Sequence, residues 1–309
     1  MTPTSDSTSS REARAASVVS HALRVLRCFS VDEPTLGVTE IAARVGLHKS
    51  TVSRLLATLE QENVVERDPQ TRRYRLGIGL ISVAGPLLAE MDERRVAYPV
   101  LLELTEQTGE TSTLMVWSGD QAVCVEQIPS PRQIKHTTPL GTRYNTALSS
   151  SVQLFLAEQP PERARALLLS GIIELPDPTE AGIEVYLESL RRVAEDGVAV
   201  NYGKTSVEEV GVAAPVRDHR DQVVAAVMVA APRYRVTPEQ AEQLAAAAAA
   251  AAREVSQRLG ASPGTRPAGR PCRCADPPPA QVPPATSRPM VSRRISLVPP
   301  KRVSSRDAR

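Results

Sequence analysis

Residues 38–77 read VTEIAARVGLHKSTVSRLLATLEQENVVERDPQTRRYRLG, and three successive patterns within them decide the fold of the front of the chain. Thr39 has the hydroxyl of an N-cap, and Ile41, Ala42 and Val45 recur at helical spacing until Gly46 permits a left-handed exit. A second helix is expected from near His48, where Val52, Leu55, Leu56 and Leu59 form an i, i+3, i+4, i+7 stripe that must be buried against the first helix. Projected at about 100° per residue, Ser50, Arg54, Ala57 and Gln61 fall opposite that stripe, with Lys49 and Ser53 beside them. A small, polar, cationic face of this kind suits the DNA major groove, because hydroxyls permit close approach and an arginine reaches guanine acceptors or a phosphate.

Behind this pair, 64–67 and 73–76 are short alternating runs separated by Asp68, Pro69, Gln70, Thr71 and Arg72, a turn-rich connector. They read as a hairpin wing that carries Arg72, Arg73 and Arg75 to a passing phosphate backbone. The alternative is a solvated edge whose charges deter aggregation. The expected DNA-contact set is His48, Lys49, Ser50, Thr51, Ser53, Arg54, Arg72, Arg73 and Arg75.

At 309 residues with 41% apolar content the chain is long enough for two domains. Its formal charge of +2 conceals a strong asymmetry. Residues 261–309 hold ten Lys and Arg against two Asp and Glu, whereas residues 81–260 hold sixteen against twenty-four. An acidic middle repels a polyanion, so DNA contact concentrates at the front face, aided by the tail. No run approaches the roughly 18 apolar residues of a membrane span, and the start lacks the charged and apolar regions of a signal peptide. Cys28, Cys124, Cys272 and Cys274 have neither disulfide-framework nor zinc spacing. A reducing, cytoplasmic setting follows as the expectation, with no metal and no cofactor.

Residues 17–29 form an amphipathic pattern with Val18, Leu23, Val25, Leu26 and Phe29 inward, completing a three-helix base. Residues 78–107 read as linker helices that Pro86 and Pro99 should kink or restart. An apolar linker packs on something, and a symmetry mate would impose a palindromic DNA site. From Thr111 the period becomes strand-like, with strands expected at 113–117, 122–126, 134–138, 198–202, 210–217 and 223–229. Helices are expected at 149–157, 162–169, 183–195 and 238–259, the last an alanine-rich helix packing across a sheet or subunit. Hairpins mixed with separate helices make an α+β domain around an antiparallel sheet. Beyond Gly260 the chain is proline-rich and poor in aliphatic residues, so it reads as a disordered basic tail.

The ordered motifs resemble the IclR-type bacterial transcription regulators. They are Ala22-Leu23-X-Val25-Leu26, Thr39-Glu40-Ile41-Ala42, Lys49-Ser50-Thr51-X-X-Arg54-Leu55-Leu56-X-X-Leu59 and Arg73-Tyr74-Arg75-Leu76-Gly77, followed by Glu106-Gln-Thr-Gly-Glu110, Gly141-Thr-Arg, Gly197-Val-Ala-Val and Ala213-Ala-Pro-Val-Arg-Asp218. The resemblance covers roughly residues 17–260. It implies a winged helix-turn-helix domain at 17–77, linker helices at 78–109 and a GAF-like effector domain at 110–260, between disordered ends at 1–16 and 261–309. It further implies a pocket for a small organic or aromatic acid, drawn from His136, Tyr144, Ser149, Ser150, Ser151, Asn201, Gly211, Met228 and Ala230. Ser150 and Ser151 stand where the family commonly has Gly or Ala, and Met228 and Ala230 where it often has Ser, which shifts hydroxyls from one wall to the other. Serines at a helix start also serve simply as caps, His136 also reads as a surface residue, and Trp117 reads as core or interface.

An enzyme is disfavoured. No G-x-S-x-G elbow accompanies Ser149 to Ser151, and the acidic residues lack metal spacing. The expectation is a repressor of a catabolic or metabolic operon, dimeric or a dimer of dimers, with palindromic double-stranded DNA, an organic acid and RNA polymerase as partners and no membrane. An architectural DNA-binding protein without a ligand is the alternative.

Overall fold

The computed structural model describes residues 18–31 and 33–262. The ends expected to be disordered lie outside these residues, save for 261 and 262. The head comprises α1 (18–26), α2 (Val38–Val45), α3 (Lys49–Gln61) and a two-stranded hairpin of β1 (Val65–Arg67) and β2 (Tyr74–Leu76). Val25, Ile41, Val45, Val52, Leu56, Val65 and Tyr74 form its core. Two inward positions expected on α1 are outside it, since Val18 and Leu23 are exposed. The cap of α2 also differs: the helix starts two residues early, with Gly37 in place of Thr39 as N-cap, and the Glu40 carboxylate accepts the Gly37 N–H at 2.8 Å. Gly46 leaves the helix at φ 67, the left-handed exit its lack of Cβ permits.

The linker is α4 (Gly79–Glu90) followed by α5 (Asp92–Thr108). Both prolines sit inside helices, and the break falls between them at Met91, whose ψ of 78 is not helical. Each proline removes a single hydrogen bond, which the flanking turns tolerate, whereas rotation at one residue ends the whole ladder. Helix α5 buries Ala97, Val100, Leu101 and Leu104, while α4 buries nothing and leaves Ile81, Val83 and Leu87 exposed.

The body is a six-stranded antiparallel sheet in the order β5-β4-β3-β8-β7-β6, formed by β3 (Thr111–Trp117), β4 (Ala122–Ile128), β5 (Arg143–Tyr144), β6 (Ala199–Tyr202), β7 (Glu209–Arg217) and β8 (Val223–Pro232). Residues 134–138, expected as a strand, form a loop instead, and the short β5 takes the edge. One face packs on α5 and α9 (Pro238–Arg258) through Leu114, Val212, Val227 and Val229. There Ala245, Ala248 and Ala252 are buried, which places the alanine-rich helix on the sheet. The other face carries α6 (Ser150–Ala157), α7 (Pro161–Leu169) and α8 (Glu180–Asp196), with Phe155, Leu168, Ile183 and Leu190 in its core. Trp117 is half-buried and stacks on the core residue Phe155 with ring centroids 5.5 Å apart, so it packs against the core from its edge. The fold is therefore a helix-turn-helix head followed by an α+β domain.

Candidate functional site

The outer face of α3 is exposed at Lys49, Ser50, Ser53, Arg54, Ala57 and Gln61, while Thr51 is half-buried. His48 is the N-cap: its Nδ1 accepts the Ser50 N–H and lies 2.8 Å from the Ser50 hydroxyl. That pair satisfies an otherwise unpaired helix-end donor, so His48 and Ser50 first hold the reading helix's N-terminus in shape. Arg54 projects from the middle of the face, one turn from Ser50 and beside Ser53.

The wing arginines separate into two kinds. Arg73 bonds both carboxylate oxygens of Glu40, at 2.8 and 3.3 Å, and the Thr35 carbonyl at 2.9 Å. Arg75 bonds Glu66 through two nitrogens at 2.6 and 2.9 Å. Arg72, at the hairpin tip with φ 56, makes no ion pair among the described residues. Of the three, Arg72 is the one whose charge is not already neutralised. Asp68 shapes the tip by accepting the N–H groups of Gln70 and Thr71, which hold its carboxyl below the usual range, chiefly through Thr71.

In the body, strand register gathers the expected pocket residues into rows on the α6 face, because paired residues of an antiparallel sheet share a side. The first row is Asn201 on β6, Gly211 on β7, Ala230 on β8 and Thr111 on β3. The second is Ala199, Ala213, Met228, Thr113 and Gln127. Above the first row, the Ser150 hydroxyl stands 3.1 Å from where a Cβ on Gly211 would lie, so glycine admits the close approach. Ser149, Ser150 and Ser151 are all buried at the start of α6. Ser149 makes no side-chain cap bond, and its hydroxyl lies 3.1 Å from that of Ser151. The first N–H groups of any helix lack intrahelical acceptors and carry its positive end. The segment leading into them is anchored by the buried Tyr186 hydroxyl, which donates to the Ala147 carbonyl.

His136 lies in the loop and not on the strand expected at 134–138. Its Nδ1 is 3.7 Å from Glu209 Oε2, while its carbonyl accepts the Thr111 hydroxyl at 2.6 Å. Arg235 grips the buried Glu110 carboxylate at 2.7 and 2.8 Å and the Ile134 carbonyl at 2.8 Å, strapping the same loop to the sheet. Tyr144 and Thr138 close the opposite side, their hydroxyls 3.3 Å apart, and burial pushes the Tyr144 phenol up. Cys124 donates to the Thr138 carbonyl at 3.1 Å, and burial raises its thiol to about 12. An open cleft of about 820 Å³ lies at the strand ends, lined by Lys135, His136, Tyr202, Glu209, Arg233 and Tyr234 among others.

Two groups on this face have no counterpart in the sequence reading. Glu209 brings a carboxylate beside Asn201 and His136, with Oε1 accepting from Asn201 at 3.1 Å and from Thr205. Thr113 is fully buried, and its Oγ1 is the one buried side-chain polar atom without a hydrogen-bond partner among the described residues. The signal for both was present in alternation along their strands, but their neighbours depend on register between distant segments. Among the described residues no group of three His, Cys, Asp or Glu could hold a metal, and no helix is long and apolar enough to cross a membrane.

Comparison with known proteins bears on the whole arrangement. Residues 18–69 match the IclR helix-turn-helix domain, and residues 86–257 match the C-terminal domain of the bacterial transcriptional regulator IclR. The HTH-type transcriptional regulator Rv1719 of Mycobacterium tuberculosis is 30% identical over 226 residues, covering 73% of this chain and 86% of that protein. The HTH-type transcriptional repressor AllR of Escherichia coli is 24% identical over 248 residues, covering 80% and 92%. A crystallised IclR-family regulator domain, 58% identical, covers 55% of this chain and 98% of its own with a TM-score of 0.54. An IclR homologue from Microbacterium hydrocarbonoxydans, crystallised with 4-hydroxybenzoate, shares the fold with a TM-score of 0.66 at 23% identity, over 79% of this chain and 100% of that one. These matched families and relatives are transcriptional regulators rather than enzymes, and the chain belongs to the IclR family of bacterial transcriptional regulators.

Proposed function

We propose that this regulator reads a palindromic operator with α3, grips the adjacent backbone with the wing, and releases or holds that DNA according to a small organic acid bound on the α6 face of the body. The observation that carries the DNA-reading part is the outer face of α3, where Lys49, Ser53 and Arg54 are exposed while Val52 and Leu56 are buried behind them. Of the expected contacts, Lys49, Ser50, Ser53 and Arg54 carry the reading and Arg72 the grip on the backbone. Arg73 and Arg75 act first as internal ion-pair partners.

The acid's carboxylate sits at the start of α6, where the helix end and three buried serines favour an anion. Asn201, Gly211, Met228 and Ala230 floor the site, while Tyr144 and His136 stand at its sides. Glu209 repels a second acid group at the mouth, so a monocarboxylate is favoured. A cocrystal of a homologue with 4-hydroxybenzoate supports this ligand class. The exposed apolar residues of α4 pair with a second copy in the cytoplasm, and the two heads then match the two half-sites. The direction of control is repression, as the name of the relative AllR suggests. Ligand response requires different affinities for the DNA-bound and free arrangements, since equal binding shifts nothing.

Fluorescence anisotropy with the DNA upstream of the chain's own gene tests this. Sequence-preferring binding that a carboxylic acid alters is expected. Binding without sequence preference and without any response to acids would support an architectural protein instead.

A further inference from the structure

We propose that the effector is a hydroxylated monocarboxylic acid and that Thr113 is the residue that reads its hydroxyl; this deepens, and rests on, the assignment of the α6 face as the effector site. Thr113 pairs with Met228 on one side and Gln127 on the other, so all three side chains project from the same face of the sheet. Met228 belongs to the core beneath α6, which fixes that face as the one bearing the serines. Thr113 therefore points into the layer between sheet and α6, and it is fully buried there with an unpartnered hydroxyl.

A buried hydroxyl without a partner is unfavourable, because it has lost its water and gained nothing in exchange. Its neighbours are already engaged. Thr111 donates to the His136 carbonyl and accepts the Ser130 N–H, and Gln127 accepts the Thr138 N–H. Among the buried side-chain polar atoms of the described residues, the Thr113 hydroxyl is the one left with both its donor and its acceptor for a ligand.

The two ends of the site lie on different strands. Ser150 stands over Gly211 on β7, and Thr113 lies on β3 beyond β8. Two strand spacings are about 10 Å and the one-row offset along the strands adds about 7 Å, so the two ends are about 12 Å apart, a span that a ring or short chain bridges with a hydrogen bond of about 2.8 Å at each end. A carboxylate at the start of α6 and a hydroxyl at Thr113 would satisfy both ends. An acid without a hydroxyl would leave Thr113 as unpartnered as before.

The test measures affinity by calorimetry for matched pairs of acids, 4-hydroxybenzoate with benzoate and 6-hydroxyhexanoate with hexanoate, on the full chain and on Thr113→Val and Thr113→Ser. In the wild type the hydroxylated member of at least one pair should bind about tenfold more tightly, the worth of one hydrogen bond to a buried unpartnered group. Thr113→Val should bring that pair within twofold without lowering the melting temperature, and Thr113→Ser should restore the preference. A preference that survives in Thr113→Val, or equal binding of both members in the wild type, overturns this inference and leaves the acid site standing. Failure of every acid to bind overturns the acid site and this inference together.

Discussion

The Arg73 guanidinium spans the two carboxylate oxygens of Glu40, at 2.8 and 3.3 Å, and so ties the wing's second strand to the first turn of α2. Glu40 in turn accepts the Gly37 N–H. One carboxylate thereby joins the wing, the start of the helix and the chain that enters it. This geometry divides the wing arginines by role. Arg73→Ala should lower the melting temperature and weaken DNA binding only as far as the head unfolds. Arg72→Ala should leave melting unchanged and reduce the slope of log affinity against log salt by about 1. Parallel melting and salt-titration series check this, and an unchanged salt slope in Arg72→Ala would refute the wing contact.

The same ties set a pH dependence. The carboxyls of Glu40 and Asp68 are held below their usual values, Glu40 chiefly by the Gly37 N–H and then by Arg73, Asp68 by the N–H groups of Thr71 and Gln70. A depressed folded value means the charged form is bound more strongly in the folded state. That stability is fully present above the ordinary carboxylate range and is lost as pH falls through the lowered folded values. Head melting should be flat from about pH 7 to 5 and decline below, where the ordinary values lie near 4. Glu40→Gln should be less stable at pH 7 and lose less on acidification, as thermal melts across that range would show.

Arg54→Ala should cost about 1 to 3 kcal/mol on the operator and less on unrelated DNA, because a base-edge contact is lost without a matching loss of non-specific grip. Competition anisotropy measures both affinities. An equal loss on all sequences would make Arg54 a phosphate contact.

Gly211→Ala sets a methyl 3.1 Å from the Ser150 hydroxyl, closer than ordinary contact. About 1 kcal/mol of destabilisation is expected from overpacking. Adding Ser150→Ala should recover most of it, since the two changes act on one contact. Additive losses in a double-mutant cycle would show that α6 does not press on the sheet there.

Cys124 is buried with its thiol raised to about 12. Native-state alkylation at pH 8 followed by peptide mass spectrometry should leave it unmodified, because the thiolate is the reactive form.

The head was legible in its residues because its determinants are local. The Val52 and Leu56 stripe, the left-handed Gly46 and the wing connector each lie within one turn or one hairpin. The N-cap of α2 shifted from Thr39 to Gly37 because Glu40 reaches back to the Gly37 N–H. The linker break moved to Met91 because a proline removes one bond, whereas a single non-helical rotation ends a ladder. The loop at 134–138 has strand-like composition, yet Arg235 and Thr111 bind its carbonyls where a strand neighbour would have been.

By itself the sequence determined that a reading helix precedes a wing, that an acidic α+β body follows, and that serines open a helix within it. These are matters of period, turn chemistry and charge along the chain. Only the tertiary structure decided that Arg73 is already neutralised by Glu40, that Glu209 meets His136, and that Thr113 lies unpartnered beneath the α6 layer. Such facts arise from register between strands far apart in the chain, where a shift of one residue would move every side chain to the opposite face.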